Sequence, residues 1–233
     1  MRIAILSDPH ANLPALKAVL DHAGQVDALL CLGDLVDYGP HPKEVLSEIR
    51  KRATSTIRGN HDQALAYDVD CGCAPAFKTL SLETRAYHKT LLGPEDIDFL
   101  KALPLSHRAV LGGVRFFLCH ASPQGDLFRY LPPSVPEEVF RREVSGIEAD
   151  VILTGHTHLP MIRKVGRHLI INPGSVGQPR DGNPTASYAV WEDGDVEVRR
   201  VGYPIDETIE GLHRSPLPRE TVDRLCAILK KGK

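Results

Sequence analysis

Five short apolar runs in this chain each end in residues that bind metals or move protons, and this constrains the fold more than any other feature. They are "IAILS" before Asp8-Pro9-His10, "ALLCLG" before Asp34, "TSTIRG" before Asn60-His61-Asp62, "RFFLC" before His120 and "VILTG" before His156-Thr157-His158. Runs of this length read as buried strands. Alternate residues of an extended chain share a face, so His156 and His158 can address one place beyond their strand. Open α/β sheets bind ligands outside the carboxyl ends of their strands, and all five clusters lie at carboxyl ends. Each alone has an ordinary explanation as a turn, a helix cap or a satisfied core histidine. Together they point to one shared site.

The segments between them alternate in type. "NLPALKAVLDHAG" reads as a helix with Asn12 as N-cap, Pro14 in its first turn and Gly24 near its end. "HPKEVLSEIRKR" is a second helix with Val45, Leu46 and Ile49 on one stripe. This βα alternation predicts an α/β fold with a largely parallel sheet. Further on, "LSLETRAYHKTLL" and "PEDIDFLKAL" read as helices, the second opened by Pro94. "HRAVL-GG-VRFFLC" reads as a hairpin, and a helix is expected near Glu137 to Ser145. "MIRKVGRHLII" and "ASYAVWEDGDVEVRRV" look antiparallel. "RETVDRLCAILKK" closes the chain as an amphipathic helix with Val222, Leu225, Cys226 and Leu229 on one stripe.

With 233 residues, 42% of them hydrophobic, one domain over 1–233 is expected. A formal charge of −2 with no dense basic block argues against a membrane surface, and against any nucleic-acid partner larger than a small or cyclic nucleotide. The N-terminal apolar run is too short for a signal segment, and no stretch of about 18 apolar residues occurs, so a cytoplasmic location is expected. Five cysteines is an odd count, and Cys31 and Cys119 lie inside apolar runs, which argues against a disulfide framework. Cys71 and Cys73 in "CGC" read either as a soft-metal or redox pair or as a plain loop, and the absence of CxxC spacing favours the loop.

Carboxylates, imidazoles and an amide oxygen without thiolates suit borderline divalent ions. Seven candidate donors (Asp8, His10, Asp34, Asn60, His120, His156 and His158) exceed what one four-coordinate ion with an open position needs, and a carboxylate shared between two ions resolves the count. Two ions roughly 3.5 to 4 Å apart can hold a hydroxide nucleophile and neutralise the oxygens of an in-line phosphoryl displacement. No G-x-S-x-G elbow, P-loop or G-x-G-x-x-G is present to support other chemistries.

In order along the chain, "DPH", "GDLVD", "GNHD", the histidine of "CHAS" and "GHTH" closely resemble the five-block signature of the calcineurin-like metallophosphoesterases. The blocks span Asp8 to His158, and "NPGSVGQPR" resembles their continuation in small bacterial and archaeal members. The resemblance implies a four-layer α/β/β/α sandwich with a binuclear site at its edge. It implies Asp8, His10, Asp34 and His158 on one ion and Asp34, Asn60, His120 and His156 on the other. Two divalent ions are the implied cofactors, Mn²⁺ foremost, with Ni²⁺, Fe²⁺ or Zn²⁺ as alternatives. His61 is implied as general acid, oriented by Asp37. Two positions depart from the usual D-x-H-G-N block: Pro9 fixes φ, and Ala11 cannot enter positive φ as cheaply as glycine.

Beyond the metals, Arg180 in the turn-rich loop after the last block is a candidate phosphate contact, weighed evenly against a solvent-facing turn. Arg129 and Tyr130 are candidates for the leaving-group pocket. The expected partner is a small phosphoester, diester or monoester. The alternatives are a catalytically silent scaffold of the same fold, resembling the retromer subunit, and a nuclease or protein phosphatase of the superfamily. Retention of His61 and all seven donors argues against the scaffold. Antiparallel edge strands in the C-terminal part offer a route to a homo-oligomer.

Overall fold

Strand β1 (Arg2–Leu6) shows in five residues how the layers are built. Ile3 and Ile5 point into one apolar cluster, and Ala4 and Leu6 into another on the opposite face. In the computed structural model, which describes residues 1–233, the chain continues through α1 (Leu13–Ala23), β2 (Ala28–Cys31), α2 (Pro42–Arg52), β3 (Ser55–Thr56), α3 (Asn60–Tyr67), α4 (Pro75–Leu91) and α5 (Pro94–Ala102). Then follow β4 (Ser106–Leu111), β5 (Val114–Cys119), α6 (Glu137–Glu143), β6 (Val151–Leu153), β7 (Met161–Val165) and β8 (His168–Asn172). The chain closes with β9 (Ala186–Glu192), β10 (Asp195–Val201), α7 (Ile205–Arg214) and α8 (Arg219–Lys231).

Two five-stranded sheets result, ordered β10-β9-β1-β2-β3 and β4-β5-β6-β8-β7. Between them lie Ile3, Ile5, Leu30, Leu32, Phe116, Leu118, Val151 and Leu153, with Trp191. The alternate residues Phe117, Ile152 and Ile170 face outward onto Phe140 of α6, while Ala4, Leu6 and Leu29 face Leu16, Val19, Val45 and Leu46 of α1 and α2. The order of layers is therefore helices, sheet, sheet, helix, the expected sandwich. Fully burying a Leu, Ile or Phe contributes roughly 1.5–3 kcal/mol. The inter-sheet cluster is thus what holds the carboxyl ends of β1, β2, β5 and β6 at one edge.

The local signals act as read. Asn12 caps α1 by accepting from Ala15 N at 3.3 Å, and Gly24 ends it at φ 63°. The expectation of a largely parallel sheet needs correction. Only β1-β2-β3 and β5-β6-β8 are parallel; β9, β10, β4 and β7 add antiparallel strands, and β9 crosses to pair with β1. Antiparallel hairpins supply the outer strands because a two-residue turn can add a strand without a crossover helix. Helix α7 lies outside the sequence reading, although Ile205, Ile209 and Leu212 at i, i+4 and i+7 give it an apolar stripe that packs on α8. No helix is long and apolar enough to cross a membrane.

Candidate metal centre

The five motif loops bond to one another across the edge where both sheets end. Asp8 N–H donates to Gly33 O, His10 N–H to Asp34 O, Gly155 N–H to His120 O and Gly177 N–H to Asp8 O, all within 3.0 Å. His61 N–H donates to Asp34 Oδ1 at 2.8 Å and His156 N–H to Asp8 Oδ2 at 3.2 Å. Asp8, His10, Asp34, Asp37, His156 and His158 all sit at positive φ, between 42° and 65°. Aspartate and histidine are among the non-glycine residues most often found in left-handed backbone, so these turns place the donors with modest strain. Ala11 joins them at φ 49°, in the left-handed region that a glycine would enter without strain.

The side chains converge as two sets of acceptors. His10 Nδ1–H donates to Val36 O at 2.7 Å and His158 Nδ1–H to Gln178 O, which leaves both Nε2 atoms with lone pairs, 3.2 Å apart. Asp8 Oδ1, buried and without a hydrogen-bond partner, lies 3.3 Å from the His158 Nε2 and 3.9 Å from that of His10. In the second set, Asn60 Nδ2 donates to Cys71 O, so its Oδ1 faces His120 Nε2 and His156 Nδ1, 3.0 Å from each. His120 Nδ1–H is committed to Leu32 O and His156 Nε2 points at Phe128 O. Asp34 Oδ2 lies 3.2 Å from His120 Nε2 and 3.8 Å from His10 Nε2, facing both sets.

Acceptors that face acceptors in a buried pocket fit a cation. Zn–N and Zn–O bonds of about 2.0–2.2 Å put neighbouring donors roughly 3.0–3.5 Å apart, the spacing of most of these pairs. Burial pushes His10 and His156 down to about 3, so both offer neutral nitrogens at pH 7. Burial would also raise Asp34, but the charges of His120 and His61 outweigh it and hold the carboxyl well below its usual range. Burial opposes the His120 imidazolium as well, yet Asp34 and then Asp8 raise it to about 9. In the chain alone a proton there supplies part of the positive charge that a metal ion would bring. The donor set, oxygen and nitrogen without sulfur, suits a borderline or hard divalent ion.

His61 stands beside these sets with a different commitment. Its Nδ1–H donates to Asp37 Oδ2 at 2.7 Å, and its Nε2 lies 3.3 Å from the Tyr38 hydroxyl. A His61 nitrogen is also within 4.8 Å of donors from His10 and Asp34, but its Nδ1 is engaged by Asp37 and both acceptor sets have their donors without it. Burial works against its charged form, while Asp34 and the Asp37 hydrogen bond outweigh burial and raise its pKa. Burial would raise Asp37 too, but the His61 hydrogen bond, then the Arg85 guanidinium, keep it below the usual carboxylate range.

Several residues of this site escaped the sequence reading. The buried face of α4 carries Ser81, Thr84, Arg85 and His88, and all four hold the Asp37-Tyr38-Gly39 turn. Ser81 Oγ and Arg85 donate to Asp37 Oδ2 at 2.8 and 2.7 Å, Thr84 Oγ1 accepts from Tyr38 N, and His88 takes Asp37 N–H on Nδ1 while donating to Gly39 O. The signal was available: polar residues at i, i+3, i+4 and i+7 make a buried stripe as apolar ones do. Asp62 is the other omission. Its carboxylate accepts from Asp34 N, Leu35 N and Gly59 N, clamping the second motif loop to the start of α3.

Burial lowers the His88 pKa. The unfolded chain, near the ordinary 6.5, therefore takes up the proton first as pH falls. The stability contributed by neutral His88 is complete above that value and is lost as pH drops below it, by at most about 1.4 kcal/mol per unit. His88→Gln should lower the stability of metal-free protein at pH 7 and shallow the fall between pH 7 and 5. Denaturant melts across that range check it, and parallel profiles would remove His88 as the source.

Gly59 explains a motif glycine by space rather than backbone freedom, since its φ is −90°. A Cβ there would lie 2.1 Å from Asp34 Oδ1 and 2.4 Å from Asp34 N. Gly59→Ala must therefore move a backbone that carries a donor to both sets, with an expected loss of about 1–3 kcal/mol of stability and of bound metal. Thermal melts and metal analysis on the same sample test it, and full metal occupancy would refute it.

Of the other candidates, Tyr130 stacks on His156 with ring centroids 4.0 Å apart. The Arg180 guanidinium sits 3.8 Å over the Phe77 ring and 5.8 Å over Tyr38, steadied by Gln178 Oε1. Tyr130 thus covers a histidine of the second set, and Arg180 lies over Tyr38, whose hydroxyl is 3.3 Å from His61 Nε2. Arg129 pairs instead with Glu143 at 2.7 Å.

Residues 1–194 match the model of the calcineurin-like phosphoesterase superfamily domain. The chain belongs to that superfamily. It is 31% identical to an uncharacterised protein of Methanocaldococcus jannaschii over 96% of both chains. The crystal structure of a metallophosphoesterase from Sphaerobacter thermophilus is 33% identical, with a TM-score of 0.79 over 97% of this chain and 98% of the other. Phosphodiesterase YfcE of Escherichia coli is 29% identical over 82% of this chain and 88% of its own. The superfamily consists of metal-dependent phosphoester hydrolases, and the two acceptor sets lie within its matched region.

Proposed function

We propose that the chain hydrolyses a small phosphoester with two divalent cations, the whole of 1–233 acting as one domain. Asp8, His10, Asp34 and His158 hold one ion, and Asp34, Asn60, His120 and His156 hold the other. The observation that carries this reading is the pair of buried acceptor sets with Asp34 Oδ2 facing both. Bound there, two such ions supply Lewis acidity toward the phosphoryl oxygens and a water acidic enough to attack near neutral pH. Mn²⁺ is the first choice for a set of oxygens and imidazoles.

The remaining steps belong to the chain. His61, held by Asp37 through Nδ1, delivers the proton on Nε2 to the departing oxygen. Arg85 and Ser81 fix Asp37, so the imidazole cannot swing away from the leaving group. Arg180 meets a phosphoryl oxygen, and Tyr130 with Tyr38 walls the leaving group. Likeness to a relative named phosphodiesterase favours a diester, such as a cyclic nucleotide.

The test is hydrolysis of a paired aryl phosphate diester and monoester by metal-stripped protein, before and after Mn²⁺, Ni²⁺, Mg²⁺ or Zn²⁺ is restored singly. Diester turnover that returns with metal supports the proposal, and a monoester preference moves the substrate to phosphatase type. Tight binding of two ions without turnover on either ester would count against hydrolysis and favour the scaffold.

A further inference from the structure

The "CGC" stretch, which reads as a plain loop from its spacing, stands against the general acid. Cys71 and Cys73 lie between α3 and α4, 1% and 8% exposed. Their sulfurs and a nitrogen of His61 all fall within 4.8 Å of one another. Gly72 between them takes φ 60° and packs so closely on Phe128 that a Cβ would come within 2.6 Å of the ring. That turn lets two sulfurs one residue apart face the same point, which the usual two- to four-residue spacing otherwise achieves. The loop is also tied to the metal centre: Cys71 O accepts from Asn60 Nδ2 at 2.7 Å, and Ser81 Oγ, which donates to Asp37, lies 3.3 Å from Cys71 Sγ.

We propose that Cys71, Cys73 and His61 form an inhibitory site for one thiophilic cation of the Zn²⁺ class. Its donors differ in kind from those of the phosphoesterase centre. Two sulfurs and an imidazole select soft or borderline d¹⁰ ions, whereas the carboxylate and amide oxygens nearby admit Mn²⁺. Binding exchanges the two thiol protons and any proton on the engaged His61 nitrogen for the ion, with no change of oxidation state. An imidazole so engaged is no longer the imidazolium that would hand a proton to the leaving oxygen. The site rests on these three side chains alone, and its inhibitory effect rests on the phosphoesterase reading above. The other thiols offer no rival: Cys31 and Cys119 lie in separate apolar clusters, and Cys226 is on α8.

The probe is Cd²⁺ titrated into Mn²⁺-loaded protein, read by the ultraviolet thiolate-to-cadmium charge-transfer band and by hydrolysis of alkyl phosphate esters, whose poor leaving groups need the His61 proton. The nitrogen and oxygen donors of the main centre give no such band. Expected is a band saturating at one Cd²⁺ per chain with loss of turnover in parallel, and in Cys71→Ser/Cys73→Ser no band and turnover that survives Cd²⁺. Cys73→Ser alone, checked by circular dichroism, guards against a misfolded double variant. His61→Ala should keep the band but weaken Cd²⁺ binding by at least about tenfold. Absence of the band in the wild type, or an equal band in the cysteine variants, overturns the site. A band in protein that hydrolyses no phosphate ester, alkyl or aryl, supports the site and counts only against the phosphoesterase reading.

Discussion

Asp34→Ala is expected to lower turnover by at least about 10³-fold, because the metals supply several kcal/mol of charge stabilisation and each 1.36 kcal/mol is tenfold in rate. Bound Mn²⁺ should fall in the same sample, since Asp34 Oδ2 faces both donor sets. Alanine also removes the acceptor of His61 N–H and leaves Asp62 clamping an empty turn. Asp34→Asn separates the two effects. The amide oxygen can still accept from His61 N–H and hold the loop, but the charge between the ions is gone. Metal analysis and initial rates on both variants decide the matter, and an Asp34→Asn protein with full metal and near-normal turnover would refute the bridging role.

His61→Ala should cost about 10²–10⁴-fold in turnover, the usual contribution of a positioned acid, while metal content stays near that of the wild type. The distinction follows from geometry, because His61 spends Nδ1 on Asp37 and the two sets keep their donors without it. The loss should depend on the leaving group. An alkyl ester needs the proton and should suffer the full effect; a nitrophenyl ester departs as a stable anion and should suffer little. Asp37→Asn should reproduce the trend more weakly, since it leaves the imidazole in place with a weaker acceptor behind it. Equal losses on alkyl and nitrophenyl esters, or loss of metal in proportion to activity, would remove the acid assignment.

The donors were legible because they are punctuated. A strand of two to six residues, apolar in four of the five cases, followed by Asp, Asn or His reads the same whatever the fold, and all seven donors converge in the structure. The support around them was not. Ser81, Thr84, Arg85 and His88 lie 44 to 51 residues beyond the turn they hold, in a helix read only for its apolar residues. The strand of the third motif was legible, but not that Asn60 would open α3 and so be aimed by a helix start.

The sequence by itself determined the strands, the identity of the metal-type donors and the chemistry they share, since these depend on residue type and on periods of two and 3.6. The tertiary structure alone decided which nitrogen of each histidine stays free, because each tautomer is set by a carbonyl elsewhere: Val36 for His10, Leu32 for His120, Gln178 for His158. It alone decided that β9 would cross to the first sheet, and that "CGC" would face His61. Local patterns encode what a residue can offer. Which partner receives it depends on contacts tens of residues apart, and only the packed layers bring those together.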